Sequence, residues 1–274
     1  MNKIYATIIL IISVPCFAFS VNVHQYIPKQ LSEQELINNV MAPKNPWGLG
    51  VQAFVSPNPY CNTRSVSWVL PAVTYTSQKF DFYDTYGSYE LFGNKSLSTE
   101  IVGQISPVSY NSKYGNSWAM QQLNNRSMSI LLGLQENWIT SYGIFEASGE
   151  NDITGTSKGF MATLQYGAPV FFGSKSNTFM IEPEVGLQYD SSTLNNYYFG
   201  ISQTESMDSG LSQYAPTDSW GPYEALNFVY VANQRLNFYL EFQANQLPNA
   251  VFDSPMVVKA KTILSSELIM TYSI

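Results

Sequence analysis

The chain has 274 residues, of which 45% are hydrophobic and only 12% are charged, against about 25% in an average soluble domain. Its formal net charge is −7, and it contains 19 Tyr, 16 Phe and 5 Trp. One histidine and two cysteines exclude a disulfide-framed mini-domain and any metal site that needs two histidines or a Cys/His cage. The negative charge, without a basic cluster, argues against nucleic-acid binding, and the apolar content argues against disorder.

The first 20 residues have the features of a Sec signal peptide. Lys3 forms the positive n-region, and a nearly unbroken apolar stretch follows over residues 4–18. Ala18 and Ser20 place small residues at the −3 and −1 positions of a cleavage site before Val21. The apolar stretch is shorter than the ~20 residues that a transmembrane helix needs, and a proline interrupts it. We therefore predict that residues 1–20 are removed on export.

Residues 21–46 are predicted to form a periplasmic tail with one short helix. Ser32 and Glu35 have the spacing of a capping box at the start of a helix. The apolar residues that follow share one helical face: Leu36, Ile37, Val40 and Met41. Two prolines then end the pattern, and the period of the sequence changes.

From Trp47 onward, apolar residues recur at every second position. Over residues 236–245, Leu, Phe, Leu, Phe and Ala occupy one face, while Asn, Tyr, Glu, Gln and Asn occupy the other. Such alternation predicts β-strands, and turn-forming residues separate the runs. The predicted strands are at about 47–56, 65–76, 78–84, 88–93 merging toward 98–110, 124–137, 139–149, 157–169, 176–190, 193–202, 219–232, 234–247 and 259–274.

This pattern favours an all-β fold, a transmembrane antiparallel β-barrel of about 12 strands over residues 47–274, with 10 or 14 strands also compatible. A soluble β-sandwich shares the alternation, but its water-exposed faces normally carry Lys and Glu. The polar faces here carry Asn, Gln, Ser, Thr, Tyr and Gly instead. Every basic residue after the signal peptide lies in the tail, in a connection or close to a strand end. A barrel requires this, because a basic side chain at the lipid midplane costs ~2–4 kcal/mol.

The polar faces and the strand ends carry three further signals. Acids in the middle of strands share the polar face and are predicted to point into the lumen: Glu182, Glu184, Glu241 and Glu267. Aromatic residues cluster near strand ends, as interfacial girdles do: Trp47, Trp68, Tyr75, Trp118, Trp138, Tyr142, Tyr189, Tyr197, Tyr198, Trp220 and Tyr272. The last strand ends in an alternation similar to the signal read by the barrel-assembly machinery: Leu268, Met270, Tyr272 and Ile274.

Two late blocks of the sequence resemble the MipA/OmpV family of outer-membrane proteins. The first block, residues 195–202, contains the consecutive residues Tyr198, Phe199, Gly200 and Ile201, and the second contains Asp253, Ser254 and Pro255. The resemblance spans about residues 46–274 and implies a barrel in the outer membrane of a Gram-negative bacterium, surrounded by its lipid. The founding member of the family is a scaffold that binds a lytic transglycosylase and a bifunctional murein synthase. The resemblance therefore implies periplasmic murein enzymes as partners.

The residues predict no catalytic, cofactor-binding or metal-ligating set. Barrel enzymes pair a histidine with a serine, and the only histidine, His24, lies in the tail before the barrel. Glu182 and Glu184 point to the same side, where like charges recruit a cation or, more simply, join a hydrated hydrogen-bond network. Three functions stay open: a non-enzymatic scaffold that links a murein hydrolase to a synthase, a narrow channel for cations or small polar solutes, and a surface adhesin.

Overall fold

The computed structural model describes residues 46–274, apart from positions 78, 84, 95, 107, 175, 176 and 234. The predicted signal peptide, the predicted tail helix and His24 lie outside these residues. The described residues form one antiparallel sheet in the order β11-β12-β13-β1-β2-β3-β4-β5-β6-β7-β8-β10-β9, which a further pairing of β11 with β10 closes into a barrel. The strands are β1 (Trp47–Ser56), β2 (Val66–Thr76), β3 (Phe80–Tyr83), β4 (Tyr86–Gly93), β5 (Leu97–Ile105), β6 (Ile130–Thr140), β7 (Gly143–Asp152), β8 (Phe160–Gly167), β9 (Val170–Ser174), β10 (Asn177–Asp190), β11 (Ser219–Asn233), β12 (Leu236–Gln246) and β13 (Thr262–Ser273).

The barrel wall has twelve strands, because β9 continues β8. Gly167 pairs with Glu184 on β10, and Val170 pairs with Ile181 in the same register. Pro169 separates the two segments, since a proline has no N–H to donate to a strand ladder. The prediction of a twelve-stranded antiparallel barrel is therefore confirmed.

Residues of each strand alternate between an inner face and an outer face. On β12, Glu241 and Gln243 are each 3% exposed, whereas Phe242 between them is 51% exposed. Long connections follow β1, β5, β10 and β12 at one end of the barrel, where β3 and β4 are joined by two residues; short turns join the strands at the other end, where β1 begins and β13 ends. Outer-membrane barrels have short periplasmic turns and longer extracellular loops, so the first and last strands begin and end on the periplasmic side.

The long loops contain short helices. These are a 3₁₀ helix (Ser112–Tyr114), α1 (Trp118–Gln121), α2 (Ser192–Phe199), α3 (Gln203–Ser209) and α4 (Asn249–Phe252). None of the helices in the described part of the chain is long and apolar enough to cross a membrane.

The strand predicted at 193–202 is wrong, because this segment forms helix α2. The Ser191 side chain accepts a hydrogen bond from the backbone N–H of Leu194 and caps the helix. Four aromatic residues predicted to lie in a girdle are placed elsewhere. Trp118 begins α1, and Tyr197 lies in α2, packed against the loop core. Tyr198 is buried among the loops, and Trp68 stacks on Phe54, with ring centroids 5.4 Å apart, on the inner face.

Basic residues of the described chain are confined to the connections, whereas acidic residues lie in both the connections and the strands. None of the Lys and Arg residues that the structure describes lies within a strand; they are Arg64, Lys79, Lys113, Arg126, Lys158, Arg235, Lys259 and Lys261. The inner face carries further acids beyond the four predicted, including Glu100, Glu146 and Glu150. Glu136 and Glu224, in contrast, are exposed on the outer face, beside apolar neighbours.

Candidate functional site

The extracellular loops pack together into a cap over the barrel, formed by residues 57–65, 106–129, 191–218 and 247–261. Apolar side chains from these loops and from the adjoining inner strand ends build one buried cluster: Tyr60, Tyr110, Met120, Leu123, Leu131, Met161, Leu194, Tyr198, Phe199, Ile201, Leu247, Val251, Met256, Val257 and Ile263. Burial of this apolar surface stabilises the loops in one arrangement. The extracellular end of the barrel is therefore covered by a hydrophobic core.

The two blocks that carry the family resemblance meet inside this cap. The Ser254 hydroxyl donates to the carbonyl oxygen of Phe199 at 2.7 Å. The Tyr60 hydroxyl, from the first loop, donates to the carbonyl of Tyr198 at 3.1 Å. A Cβ on Gly200 would lie 2.4 Å from the carbonyl oxygen of Asn196, so only glycine fits between the two helices.

The other residues of the two blocks also hold the cap together. Ile201 forms an isolated β-bridge with Tyr214, and the carbonyl of Pro255 lies 3.7 Å from the Cys61 thiol. The Asp253 backbone N–H donates to the carbonyl oxygen of Asn249, and Asp253 caps the end of α4. All seven residues of the blocks therefore lie in the cap and not in the barrel wall.

An ion pair between Arg126 and Glu205 joins two of the cap loops. The Arg126 guanidinium lies 2.7 Å from the Glu205 carboxylate, and the two side chains are 7% and 6% exposed. Arg126 also donates to the carbonyl of Gly200 at 3.1 Å. Glu205 accepts from the Asn124 backbone N–H and forms a capping box with Ser202 at the start of α3.

The pKa of Glu205 reflects this environment. Burial of the carboxyl acts to raise its pKa, but hydrogen bonds from Ser202, Arg126 and Asn124 to the ionised form outweigh burial and lower the pKa to about 2. Glu205 is therefore ionised at neutral pH, and its charge is compensated within the cap.

Below the cap, acids form a row across neighbouring strands of the inner face. Glu267 on β13 is directly opposite Glu241 on β12, Glu241 is opposite Asn227 on β11, and Asn227 is opposite Glu182 on β10. Glu184 lies two residues farther along β10 on the same face. This row brings together all four acids that the sequence predicted to face the lumen.

The acids of this row have polar partners but no basic ones in the described strands. Gln52 donates to Glu267, and the Tyr239 hydroxyl donates to Glu241 at 2.5 Å. Glu182 and Glu184 are 1% and 3% exposed, and one carboxylate oxygen of each accepts no hydrogen bond from the residues that the structure describes. The interior therefore contains a buried acidic layer, and the described strands hold no Lys or Arg.

A second apolar cluster lies on the periplasmic side of the acid row. It contains Met180, Val229, Val231 and Tyr239, with Phe171 and Ile269 packed against them. These side chains come from the inner faces of β9 to β13, near the short turns. On this side of the barrel, the acidic layer is thus enclosed between two apolar clusters.

The C-terminal residues that resemble an assembly signal lie on the outer face of β13 or at its end. Leu268, Met270, Tyr272 and Ile274 are all 40–54% exposed. They present a continuous apolar edge beside β1, which pairs with β13 to close the barrel. Their recognition by an assembly machinery stays a prediction.

A closed barrel with an apolar outer face, a buried polar interior and long loops at one end is a transmembrane barrel of the outer-membrane type. A sequence profile of the family described as "MltA-interacting protein MipA" matches residues 49–274. The chain belongs to this family, and the resemblance drawn from its two late blocks is confirmed.

Named relatives give the same class. The chain is 28% identical over 220 residues to the MltA-interacting protein of Escherichia coli (strain K12), covering 80% of this chain and 87% of that one. It is 24% identical over 226 residues to outer membrane protein OmpV of Vibrio cholerae, covering 81% and 84%. Among solved structures, the NanC porin matches with a TM-score of 0.43 and 10% identity, covering 82% of this chain and 100% of that one. The protein is an outer-membrane protein of a Gram-negative bacterium.

Proposed function

We propose that this protein is a non-enzymatic scaffold of the outer membrane, which binds a murein hydrolase of the MltA type on its periplasmic side and links it to a murein synthase. The observation that carries the proposal is the cap. The loops that contain the family motifs pack into a buried core over the extracellular mouth. Because this core covers the mouth, the arrangement favours an anchoring protein over an open pore. The name of the Escherichia coli relative, MltA-interacting protein, supports the identity of the partner.

The periplasmic rim offers two places for such a partner. The first is the chain that precedes Trp47, because β1 begins at this rim. The second is the free edge of β9. The last pair between β7 and β8 joins Ile144 to Gly167, so β9 runs past β7 and pairs only with β10 among the described strands.

The edge of β9 has the chemistry of a strand-addition site. Ala168 donates its N–H to the carbonyl of Pro183 on β10. In an antiparallel pair, only every second residue bonds to the partner strand, so Phe171 and Gly173 direct their N–H and C=O groups away from β10. Val170 and Phe172 are 49% and 51% exposed, and the described part of this edge carries no charge. An uncharged, exposed edge is a template for a strand of another protein.

A pull-down from detergent extract tests the proposal. The intact protein is expected to recover a lytic transglycosylase of the MltA type, and deletion of residues 21–45 or Gly173→Pro is expected to reduce the recovery. Proline is tolerated on a strand edge, so Gly173→Pro removes one outward N–H without breaking the ladder to β10. Met207→Ser is the matched control, since Met207 is 71% exposed on the extracellular cap.

Two outcomes contradict the proposal in different ways. Failure of the intact protein to recover a murein enzyme refutes the scaffold function. If the intact protein recovers a murein enzyme and neither the deletion of residues 21–45 nor Gly173→Pro reduces the recovery, the scaffold function stands but both contact sites are refuted.

The acidic layer favours a second candidate function, a narrow cation path through the barrel. Glu182, Glu184, Glu241 and Glu267 meet on the inner face, where a row of carboxyl groups suits a cation better than an anion. A single-channel recording in planar bilayers tests this function with Glu182→Gln and Glu184→Gln. Absence of conductance, or conductance with unchanged cation selectivity in both variants, excludes it.

A further inference from the structure

A groove on the outer wall crosses strands β6, β7, β8 and β10. Its volume is about 590 Å³. Ala147 forms the floor, because its small side chain lies on the outer face between larger neighbours. The outward side chains around it are Trp138, Phe145, Leu164, Tyr166, Val185 and Leu187. This face of a membrane barrel is in contact with lipid, so an acyl chain is the natural occupant of the groove.

The wall of the groove nearest the periplasm is aromatic. The ring centroids of Trp138 and Phe145 are 5.6 Å apart, and those of Phe145 and Tyr166 are 4.7 Å apart. The Tyr166 hydroxyl donates to the carbonyl of Tyr142, in the short turn between β6 and β7, at 2.6 Å. Such rings lie at the level of lipid headgroups, which places this end of the groove at the periplasmic leaflet.

Glu136 provides a negative charge beside the floor of the groove, farther from the periplasmic turn than Trp138. Its cross-strand neighbours are Thr99 on β5 and Ala147 on β7, and the Thr99 hydroxyl donates to one carboxylate oxygen at 2.8 Å. The side chain is exposed on the outer face and forms no salt bridge with any residue that the structure describes. A charge on the lipid-facing side of a barrel is costly without a counter-charge, and it marks a candidate binding site.

We propose that the groove binds one phosphatidylethanolamine molecule of the periplasmic leaflet. Its primary ammonium group pairs with the Glu136 carboxylate, and one acyl chain lies over Ala147 against Leu164 and Leu187. Charge complementarity selects this lipid, because an anionic headgroup such as phosphatidylglycerol brings a second negative charge to Glu136 and no cation. The site is separate from the cap, from the row formed by Glu182, Glu184, Glu241 and Glu267, and from the proposed periplasmic contacts.

Native mass spectrometry of the purified barrel in detergent tests the site. The protein is titrated with phosphatidylethanolamine and with phosphatidylglycerol that have the same acyl chains, and the lipid-bound fractions are compared. Glu136→Gln keeps the side-chain shape and is expected to reduce the preference for phosphatidylethanolamine about fivefold, the factor that corresponds to ~1 kcal/mol of ion-pair free energy. Ala147→Leu fills the floor of the groove and is expected to reduce the binding of both lipids.

Glu224→Gln is the matched control, because Glu224 is also an exposed outer-face glutamate, but it does not line the groove. Its lipid preference is expected to equal that of the unchanged protein. Equal binding of the two lipids by the unchanged protein overturns the proposal. The proposal is also overturned if the preference for phosphatidylethanolamine survives Glu136→Gln, or if Glu224→Gln reduces this preference as much as Glu136→Gln does. Glu136→Gln is decisive even where Ala147→Leu fails to fold, since it changes no volume.

Discussion

The replacement of Arg126 by methionine tests whether one buried ion pair holds the cap together. Methionine keeps much of the apolar stem but removes the charge that lies 2.7 Å from Glu205. Loss of one partner from a buried pair typically costs 3–5 kcal/mol, because the other charge stays buried and unpaired. Glu205 retains its hydrogen bonds from Asn124 and Ser202, so the expected loss lies at the low end, about 3 kcal/mol.

Urea titration of the folded protein in detergent, followed by limited proteolysis of the loops, measures the free energy of opening of the cap. The heat-modifiable migration of the barrel on gels is expected to stay unchanged, since Arg126 lies outside the strands. A double-mutant cycle with Glu205→Gln is expected to give a coupling energy of about 2 kcal/mol. A loss below about 1 kcal/mol in Arg126→Met, or additive effects of the two changes, would refute the reasoning.

The cap and the barrel wall allow three further tests. Glu205 has a pKa of about 2, lowered from 4.5, so its contribution is complete above pH 4.5 and is lost as the pH falls toward 2. Urea titrations across this range are expected to show a loss of up to ~3 kcal/mol, which Glu205→Gln lacks. Ser254→Ala removes the buried hydrogen bond to the carbonyl of Phe199 and should cost about 1 kcal/mol in the same titration; an unchanged value contradicts the role of this contact. Gly50→Ala places a Cβ 1.8 Å from the carbonyl oxygen of Met270, so the heat-unfolding temperature of the barrel is expected to fall. In the control Gly87→Ala, the nearest atom is 3.6 Å from the added Cβ, and the unfolding temperature is expected to stay unchanged.

The wall of the barrel could be predicted from the sequence, because each strand residue meets one of only two environments. The alternation over residues 236–245 predicted a strand at 234–247, and β12 runs from Leu236 to Gln246. The final strand was predicted at 259–274, and β13 runs from Thr262 to Ser273. In both strands, the period of two records directly which side chains face lipid and which face the interior.

The cap could not be predicted in the same way. Tyr198, Phe199 and Ile201 have the apolar character of strand residues, but all three are buried between loops from distant parts of the chain. Their partners, such as Tyr60 and Ser254, are far away in sequence, and no local period records such contacts. The segment therefore looked like a strand, although the capping hydroxyl of Ser191 was a helix signal that could have corrected the assignment.

The outward position of Glu136 was missed for a related reason. The strand predicted at 124–137 placed this residue next to a strand end, where a charge causes no conflict with lipid. The observed strand, Ile130–Thr140, places it inside the wall with Leu134 and Trp138 on the same face. A shift of three residues at the end of a strand thus moves Glu136 from the predicted end of the strand into its lipid-facing part.

The sequence by itself determined the class of this protein, an outer-membrane barrel of about twelve strands with acids inside and basic residues outside the strands. It could do so because lipid and the barrel interior act on every strand in the same alternating way. Only the tertiary structure decided that the family motifs join a cap, that the interior acids form one row and that Glu136 faces a lipid groove. Each of these features depends on which strands and loops become neighbours when the barrel closes, and the local pattern of a single strand does not contain that information.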